Sequence, residues 1–498
     1  VLTRLKVSGF KNLKDVDVRL GPFTCLAGAN GSGKSNLLDA VAFLGALADR
    51  PLLDAARSLR DDAQGGDARD IFSRGPSGAV DTVRLEAEMV IPTRGTDDLG
   101  QPATATVNFL RYAVTIRRSS SDLGMPCLEL VGEELGYIRK GDARENLGFP
   151  CQRAFLDSVL HGRRTTPFIS TTEGPDRAIK LHADGNVGGV LRTFPATLPR
   201  TVLSTVNGAD NPTALLARRE MQSWQRLRLE PGALRRVDTF TAPPRMGADG
   251  SHLPAVLQRL VGGTGEVHRA RGGRITHRLS TLSSQVRGVY VDRDDQRELL
   301  TVMVAQMDGV LHPARELSDG TLRFLALCAL AEDPLAQGMV CVEEPENGIH
   351  PERIRALMAL LEDLAVDGSL PVGEDNPLRQ VVVTTHAPAV LGLVDDQSVV
   401  FATAGTADPG GPAEERGAAF LPLAGSWRAR LNPEGPVIAK DGLVAYLTAL
   451  PRAESVPPLK WSRKDADPPA SPRRRVIERP ECGQLALGLD VAPKPERG

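Results

Sequence analysis

The chain opens on alternation: Leu5 and Val7, then Val16 and Val18, put apolar side chains on every second residue, the period of a half-buried strand. A short apolar run, Phe23-Thr24-Cys25-Leu26-Ala27, reads as a buried strand. Beyond a glycine-rich turn, residues 36–47 carry apolar groups at helical spacing. Residues 49–78 are polar and glycine-rich, which predicts loop. Stretches at 82–91, 105–117 and 127–138 predict an antiparallel sheet attached to this core. From about 140 to 288 the pattern breaks into Gly, Pro and Arg, with helical pieces at 213–229 and 253–260. No heptad of apolar positions is sustained there, so a long coiled-coil arm is not expected. Regular patterning returns at 289–291 and 299–306. Buried strands follow at 338–342, 380–384 and 398–401, with helices over 316–331 and 351–364. Short apolar strands alternating with helices predict an α/β fold with a parallel sheet. The composition shifts divide the chain at 1–140, 141–288, 289–451 and 452–498. The second part is an inserted, mainly helical and irregular lobe, and the fourth is a tail expected to be disordered.

Composition changes this picture little. Of 498 residues, 41% are hydrophobic and only 4% aromatic, so aliphatic side chains must fill most of the core. The formal charge of -2 shows no overall basic footprint, and any nucleic-acid contact would be local. Six cysteines, Cys25, Cys127, Cys151, Cys328, Cys341 and Cys482, are scattered without a CxxC pair. They read as small buried hydrophobes in a reducing compartment rather than as disulfides or a zinc site. The first ten residues lack the apolar core of a signal peptide, and no run has the length of a membrane span, so a cytoplasmic protein is expected.

The chemistry begins at the turn. Gly28-Ala29-Asn30-Gly31-Ser32-Gly33-Lys34-Ser35 fits G-x-x-x-x-G-K-[ST] in full, with a strand before it and a helix after it. Glycines let the backbone N–H groups point at phosphates, and the helix adds the positive end of its dipole. Lys34 is expected on the β- and γ-phosphates and the Ser35 hydroxyl on Mg²⁺. The strand 339–342 ends in Glu343 and Glu344, which alternate and so can take different roles. Glu343 suits a magnesium ion held through bound water; Glu344 suits the attacking water, as general base. His386 ends the strand 380–384, where a γ-phosphate sensor would sit, and Ser318 is placed to cap the helix behind it.

In this order the pieces resemble the ATPase heads of the ABC superfamily, in the SMC/RecF/OLD-like branch, and within it the stand-alone bacterial AAA-type ATPases. Phe10-Lys11-Asn12-Leu13, the loop running into Asn36-Leu37-Leu38-Asp39-Ala40, and Leu317-Ser318-Asp319-Gly320-Thr321-Leu322-Arg323 carry the likeness. So do Glu343-Glu344-Pro345-Glu346-Asn347-Gly348 and Thr384-Thr385-His386-Ala387-Pro388. The resemblance implies a P-loop head with a mixed sheet, flanking helices and an attached antiparallel sheet. It implies ATP and Mg²⁺ as cofactors, with Lys11, Asn30 and Asn36 joining the loop around the nucleotide. Ser318 and Gly320 would contact the γ-phosphate bound to a second copy, with Asn347 and His350 at the seam, so two heads would close around two ATP molecules.

Two positions depart from the pattern. Glu343 stands where Asp is usual and is one methylene longer, and Asp319 stands where Gly is common. A carboxylate is welcome at a helix N-terminus but not beside a γ-phosphate, so Asp319 is expected to point away. The glutamine that links γ-phosphate to the second lobe is not assignable among Gln64, Gln101 and Gln152.

Relatives of such heads act as repair clamps on DNA, as ATPases fused to a Toprim nuclease, or beside a separate effector in anti-phage systems. Arg218, Arg219, Arg226, Arg228, Arg235 and Arg236, and later Arg269, Arg271, Arg274 and Arg278, form basic clusters that suit either DNA or solvent. A fused nuclease is not expected, because the one Asp-x-Asp after His386, Asp465 and Asp467, follows no strand. The leading expectation is an ATP-dependent switch for a separate effector, nuclease or Toprim-like, in bacterial defence. The alternative is a RecF-like DNA-binding repair ATPase.

Overall fold

A computed structural model describes residues 1–59, 67–75, 78–120, 124–174, 177–184, 190–195, 198–208, 210–405, 417–439 and 442–443. Gln64, Cys482, Asp465, Asp467 and the tail from 452 lie outside them.

The central sheet has six strands in the order Gln225–Leu227, Gly338–Glu343, Arg379–Thr385, Phe23–Ala27, Val399–Gly405, Gly417–Pro422. The first five run parallel and the last antiparallel. Parallel strands covered on both faces must be apolar on both, and these are. Leu26, Cys341, Val382 and Val400 face one core, with the helix Lys34–Leu47. Cys25, Val340, Val342, Val381 and Val383 face the other, with the helices Asp319–Glu332 and Ile354–Leu364.

Beyond the helix Lys34–Leu47 lies an antiparallel sheet of eight strands. Its order is Val190–Pro195, Ala178–His182, Ile169–Thr171, Pro126–Tyr137, Phe109–Ser120, Thr82–Val90, Leu2–Phe10, Leu13–Arg19. Leu5, Val7, Leu85 and Val114 share one core with Leu37, Val41 and Leu44 of the helix, and Phe10 stacks on Phe43 with centroids 5.8 Å apart. On the far side of the molecule, the helices Leu253–Val261 and Glu266–Leu282 pack with Asp319–Glu332 beside a small antiparallel sheet. The strands Asp238–Thr239, Leu299–Gln306, Val286–Asp294 and Leu311–Pro313 make up that sheet.

The stretch 141–288 serves all three layers. Its first strands widen the antiparallel sheet, Gln225–Leu227 edges the parallel sheet, and its last helices cover the second core. The helix expected over 213–229 spans only Pro212–Gln222, and the chain then turns into the strand Gln225–Leu227. Of the polar stretch 49–78, expected to be loop, the described residues include a short helix, Leu52–Arg57, a 3-10 turn, Ala68–Ile71, and a two-residue strand, Arg74–Gly75. No helix among the described residues is long and apolar enough to cross a membrane, and Cys25, Cys127, Cys151, Cys328 and Cys341 are all free thiols.

Candidate functional site

Three parallel strands end side by side at one rim of the central sheet: Phe23–Ala27, Arg379–Thr385 and Gly338–Glu343. The phosphate-loop strand and the carboxylate strand are separated by the strand that ends at Thr385. Each delivers a chemical group just past its last residue. The open sheet therefore places them in the crevice at strand C-termini, where ligands of such sheets bind.

The loop 28–35 wraps the N-terminus of the helix Lys34–Leu47. At Gly33, φ is +101°, and a Cβ there would stand 2.4 Å from Ala418 Cβ; at Gly28 it would meet the Ala402 carbonyl oxygen at 2.2 Å. Only glycine fits either position. Lys34 Nζ donates to the carbonyls of Gly28 at 2.7 Å and Ala29 at 2.9 Å, folded across its own loop. Burial pushes its pKa down, against the opposing pull of Glu344 and Glu346. Ser32 Oγ is buried within the loop without a hydrogen-bond partner. A cradle closed to Cβ atoms, with an unused buried hydroxyl and a helix N-terminus, fits a phosphate chain.

Ser35 Oγ donates to Glu343 Oε2 at 3.2 Å, so the two residues expected at the metal face each other. Glu344 sits at φ +44°, a left-handed conformation uncommon for a residue with a side chain. That twist turns its carboxylate away from the strand. His386 Nδ1 lies 2.8 Å from Glu344 Oε1, and Asn347 Nδ2 donates to Oε2 at 2.8 Å. Behind this pair is Glu346, 7% exposed, whose Oε1 accepts from Thr385 Oγ1 at 2.5 Å. Thr385 Oγ1 in turn accepts from the Ala387 amide at 3.0 Å, so one buried hydroxyl brackets His386 on both sides.

The loop, Ser35, Glu343, Glu344 and His386 thus share one rim. Ser318 and Gly320 do not join it by any described hydrogen bond. Ser318 caps the helix Asp319–Glu332, its Oγ accepting from the Thr321 amide at 3.2 Å. A Cβ on Gly320 would stand 2.8 Å from the Gly348 carbonyl oxygen, which sets the helix Asp319–Glu332 against the turn that follows Glu344. Arg323 ties the two further, donating to the carbonyls of Asn347 and, at 3.0 Å, Leu229. Ser318, Asp319, Asn347 and His350 are exposed on this edge. Asp319 Oδ1 accepts from Arg235 Nη2 at 2.6 Å.

The chain matches the family described as "AAA domain, putative AbiEii toxin, Type IV TA system" over residues 23–122 and 152–392. The chain belongs to this AAA family. It is a P-loop ATPase, and the family implies ATP in the cradle just described. It is also similar to the DNA replication and repair protein RecF of Frankia alni, 29% identical over 180 residues, 36% of this chain and 42% of that protein. RecF of Paenarthrobacter aurescens is 30% identical over 160 residues, 32% of this chain and 35% of that one. The ATPase therefore spans less than half the length of these relatives. Among solved structures, an SMC head bound to the C-winged helix domain of ScpA matches 85% of this chain and 98% of its own, at 13% identity and TM-score 0.43. The SMC head domain from Thermotoga maritima covers the same shares at 13% identity and TM-score 0.34.

Within the ATPase, two of the other residues expected around the nucleotide have partners near the loop. Asn36 Nδ2 donates to Asn12 Oδ1 at 2.7 Å. Lys11 pairs with Asp39. Gln101 lies in a hairpin with Asp97 and Gln152 opens the helix Arg153–Val159, so neither is joined to the loop by a described bond.

Asp39, Arg226 and Arg228 adjoin the site although the sequence assigned them no part in it: the arginines read as a basic cluster and Asp39 only as part of the motif after the loop. Arg226 bonds both Asp39 and Glu343, and Arg228 Nε lies 3.4 Å from Glu343 Oε1. Burial works against the charge of Glu343, but the hydrogen bond and charge of Arg226 outweigh it and hold its pKa below the usual carboxylate range. Asp39 stands one helical turn after Ser35, on the same face, and that spacing was a usable signal.

Proposed function

We propose that the chain is a Mg²⁺-dependent ATPase whose two copies close face to face around two nucleotides, and that this closure switches a separate effector in bacterial defence. The observation that carries the catalytic reading is the Glu344–His386–Asn347 group beside Lys34. A carboxylate held by two partners at the strand end is poised to accept a proton from an attacking water. Ser35 Oγ and Glu343 Oε2 are the atoms that would hold the magnesium ion, which would supply charge at the β- and γ-phosphate oxygens. Lys34 would exchange its loop carbonyls for those oxygens, and the loop amides would orient the chain. Pairing of two heads is supported by the exposed edge of Ser318, Asp319, Asn347 and His350, which lies beside the catalytic turn yet, among the described residues, has no hydrogen bond to its own phosphate loop. The family's description as a toxin-system component supports the defence role.

Glu344→Gln tests this reading. The variant should bind ATP, accumulate as an ATP-dependent dimer in sedimentation, and release phosphate at least about 100-fold more slowly. Normal turnover would remove Glu344 as general base.

A second reading, a DNA-binding repair ATPase, is favoured by the RecF likeness. The arginines speak for the first: Arg218 and Arg219 pair with Asp98, Arg235 with Asp319, Arg274 with Glu332, Arg278 with Glu332 and Asp363. Binding to duplex DNA across a salt series separates the two, since phosphate contacts weaken steeply as salt rises.

A further inference from the structure

Glu343 is a longer side chain than the aspartate usual at its position, and the extra torsion gives its carboxylate more ways to miss a metal. The structure removes that freedom from outside. Arg226 lies on the strand Gln225–Leu227, paired in parallel with the carboxylate strand so that Arg226 stands opposite Cys341. Its side chain is 13% exposed and reaches two carboxylates on two different elements: Nε on Glu343 Oε1 and Nη1 on Asp39 Oδ1 of the phosphate-loop helix. Arg228 Nε adds a second contact to the same Glu343 oxygen at 3.4 Å. Lys11 takes the other oxygen of Asp39, so Asp39 is itself fixed.

The division of the Glu343 carboxylate matters most. Oε1 is spoken for by guanidinium groups, and Oε2 alone faces Ser35 Oγ, at 3.2 Å. A guanidinium presents donors in a rigid plane, so a fork anchored at Asp39 sets the rotation of whatever it holds at its other side. The charges agree with a cluster that does not need a metal to stand. Lys11, Arg226 and Arg228 already offset Asp39 and Glu343.

We propose that Arg226 is the positioning residue of the metal carboxylate: it grips Oε1 of Glu343 from Asp39 and leaves Oε2 turned to the Ser35 hydroxyl. This rests on the reading of Ser35 and Glu343 as the magnesium site. In this role Arg226 acts through Glu343, the residue it bonds.

The test measures binding of a fluorescent ATP analogue to the full chain while MgCl₂ is titrated, with the affinity in EDTA as the metal-free reference. Arg226→Ala should raise the Mg²⁺ concentration at half-effect by about tenfold or more, the usual cost of removing a partner that orients a metal ligand, and leave the EDTA affinity unchanged. Arg226→Lys keeps the charge but loses the fork, and should fall between the two; it also carries the test if the alanine variant does not fold. In a Glu343→Gln background, where there is no carboxylate to orient, Arg226→Ala should add no further shift. An unchanged midpoint in the folded single variants would overturn the proposal, as would a full additional shift in the double variant. A wild type whose nucleotide binding ignores Mg²⁺ would overturn the metal-site reading itself, and this inference with it.

Discussion

Glu346 lies two residues beyond Glu344 and is nearly as buried as the apolar core around it. Only one of its oxygens has a partner, the Thr385 hydroxyl, and Oε2 has none. Burial, with the charge of Glu344 nearby, pushes its pKa up against the hydrogen bond from Thr385. A carboxyl whose folded pKa is raised binds its proton more tightly in the folded state. The stability it contributes is therefore fully present below the ordinary carboxylate range and is lost as pH rises through the folded pKa. Glu346→Gln keeps an acceptor for Thr385 and never ionises, so it escapes that loss. Melting temperatures measured from about pH 5 to about pH 8 should show the variant gaining on the wild type as pH rises. A gap that is constant or narrows would mean Glu346 stays charged throughout. At this scale the sequence was legible where chemistry is written into consecutive residues. The loop 28–35, Glu343-Glu344 and His386 each follow from identity and position along a strand. Glu346 was not legible, because its role is to brace Thr385, and that contact joins residues 39 apart.

Two elements show where pattern reading succeeds and where it stops. The helix Asp319–Glu332 announces itself through Ser318 and a long apolar run, and it begins where the cap requires. The strand Gln225–Leu227 is three residues long and follows a helix directly, so no periodicity could separate it from that helix. It is a strand because Gly338–Glu343 offers an open edge to pair with, a tertiary cause outside any local window. Arg226 and Arg228 owe their place to that pairing. The helix Asp319–Glu332 also allows its Ser318 cap to be separated from the contact expected with a second copy's γ-phosphate. Ser318→Asp preserves an N-cap acceptor, since Asp serves as well as Ser there, but sets a carboxylate where a γ-phosphate would dock. The variant should melt with the wild type, and in the Glu344→Gln background it should no longer dimerise with ATP in sedimentation. Ser318→Ala, by contrast, should cost about 1 kcal/mol of stability through the lost cap. If Ser318→Asp still dimerises fully, Ser318 does not face the second nucleotide.

For the molecule as a whole, the layers were foreseeable as an α/β core with an antiparallel sheet attached, but the device that locks one sheet to the other was not. Gln380 is fully buried at the start of a central parallel strand. Its amide reads like a piece of backbone: Oε1 accepts from the Leu2 amide at 2.8 Å, and Nε2 donates to the carbonyls of Leu2 and Gly21, each at 2.8 Å. Leu2 belongs to the antiparallel sheet and Gly21 to the turn that leads into the phosphate-loop strand. One side chain thus satisfies three main-chain groups across the junction, in a place where the pattern alone would expect another valine. Gln380→Leu has nearly the same volume but takes the amide away from the Leu2 N–H and from the carbonyls of Leu2 and Gly21, the last keeping only a long contact from the Thr24 hydroxyl at 3.5 Å. At about 1–3 kcal/mol for each group left without a partner, the variant should lose at least about 2 kcal/mol and several degrees of melting temperature. The more telling readout is where the loss falls. Because the three bonds join the sheets, hydrogen exchange should speed up both in Leu2–Phe10 and in Arg379–Thr385, and with the latter in the segment that carries His386. Loosening confined to one sheet would mean the two are held together by their apolar faces alone, and that the rim carrying Glu344 and His386 does not depend on the antiparallel layer behind it.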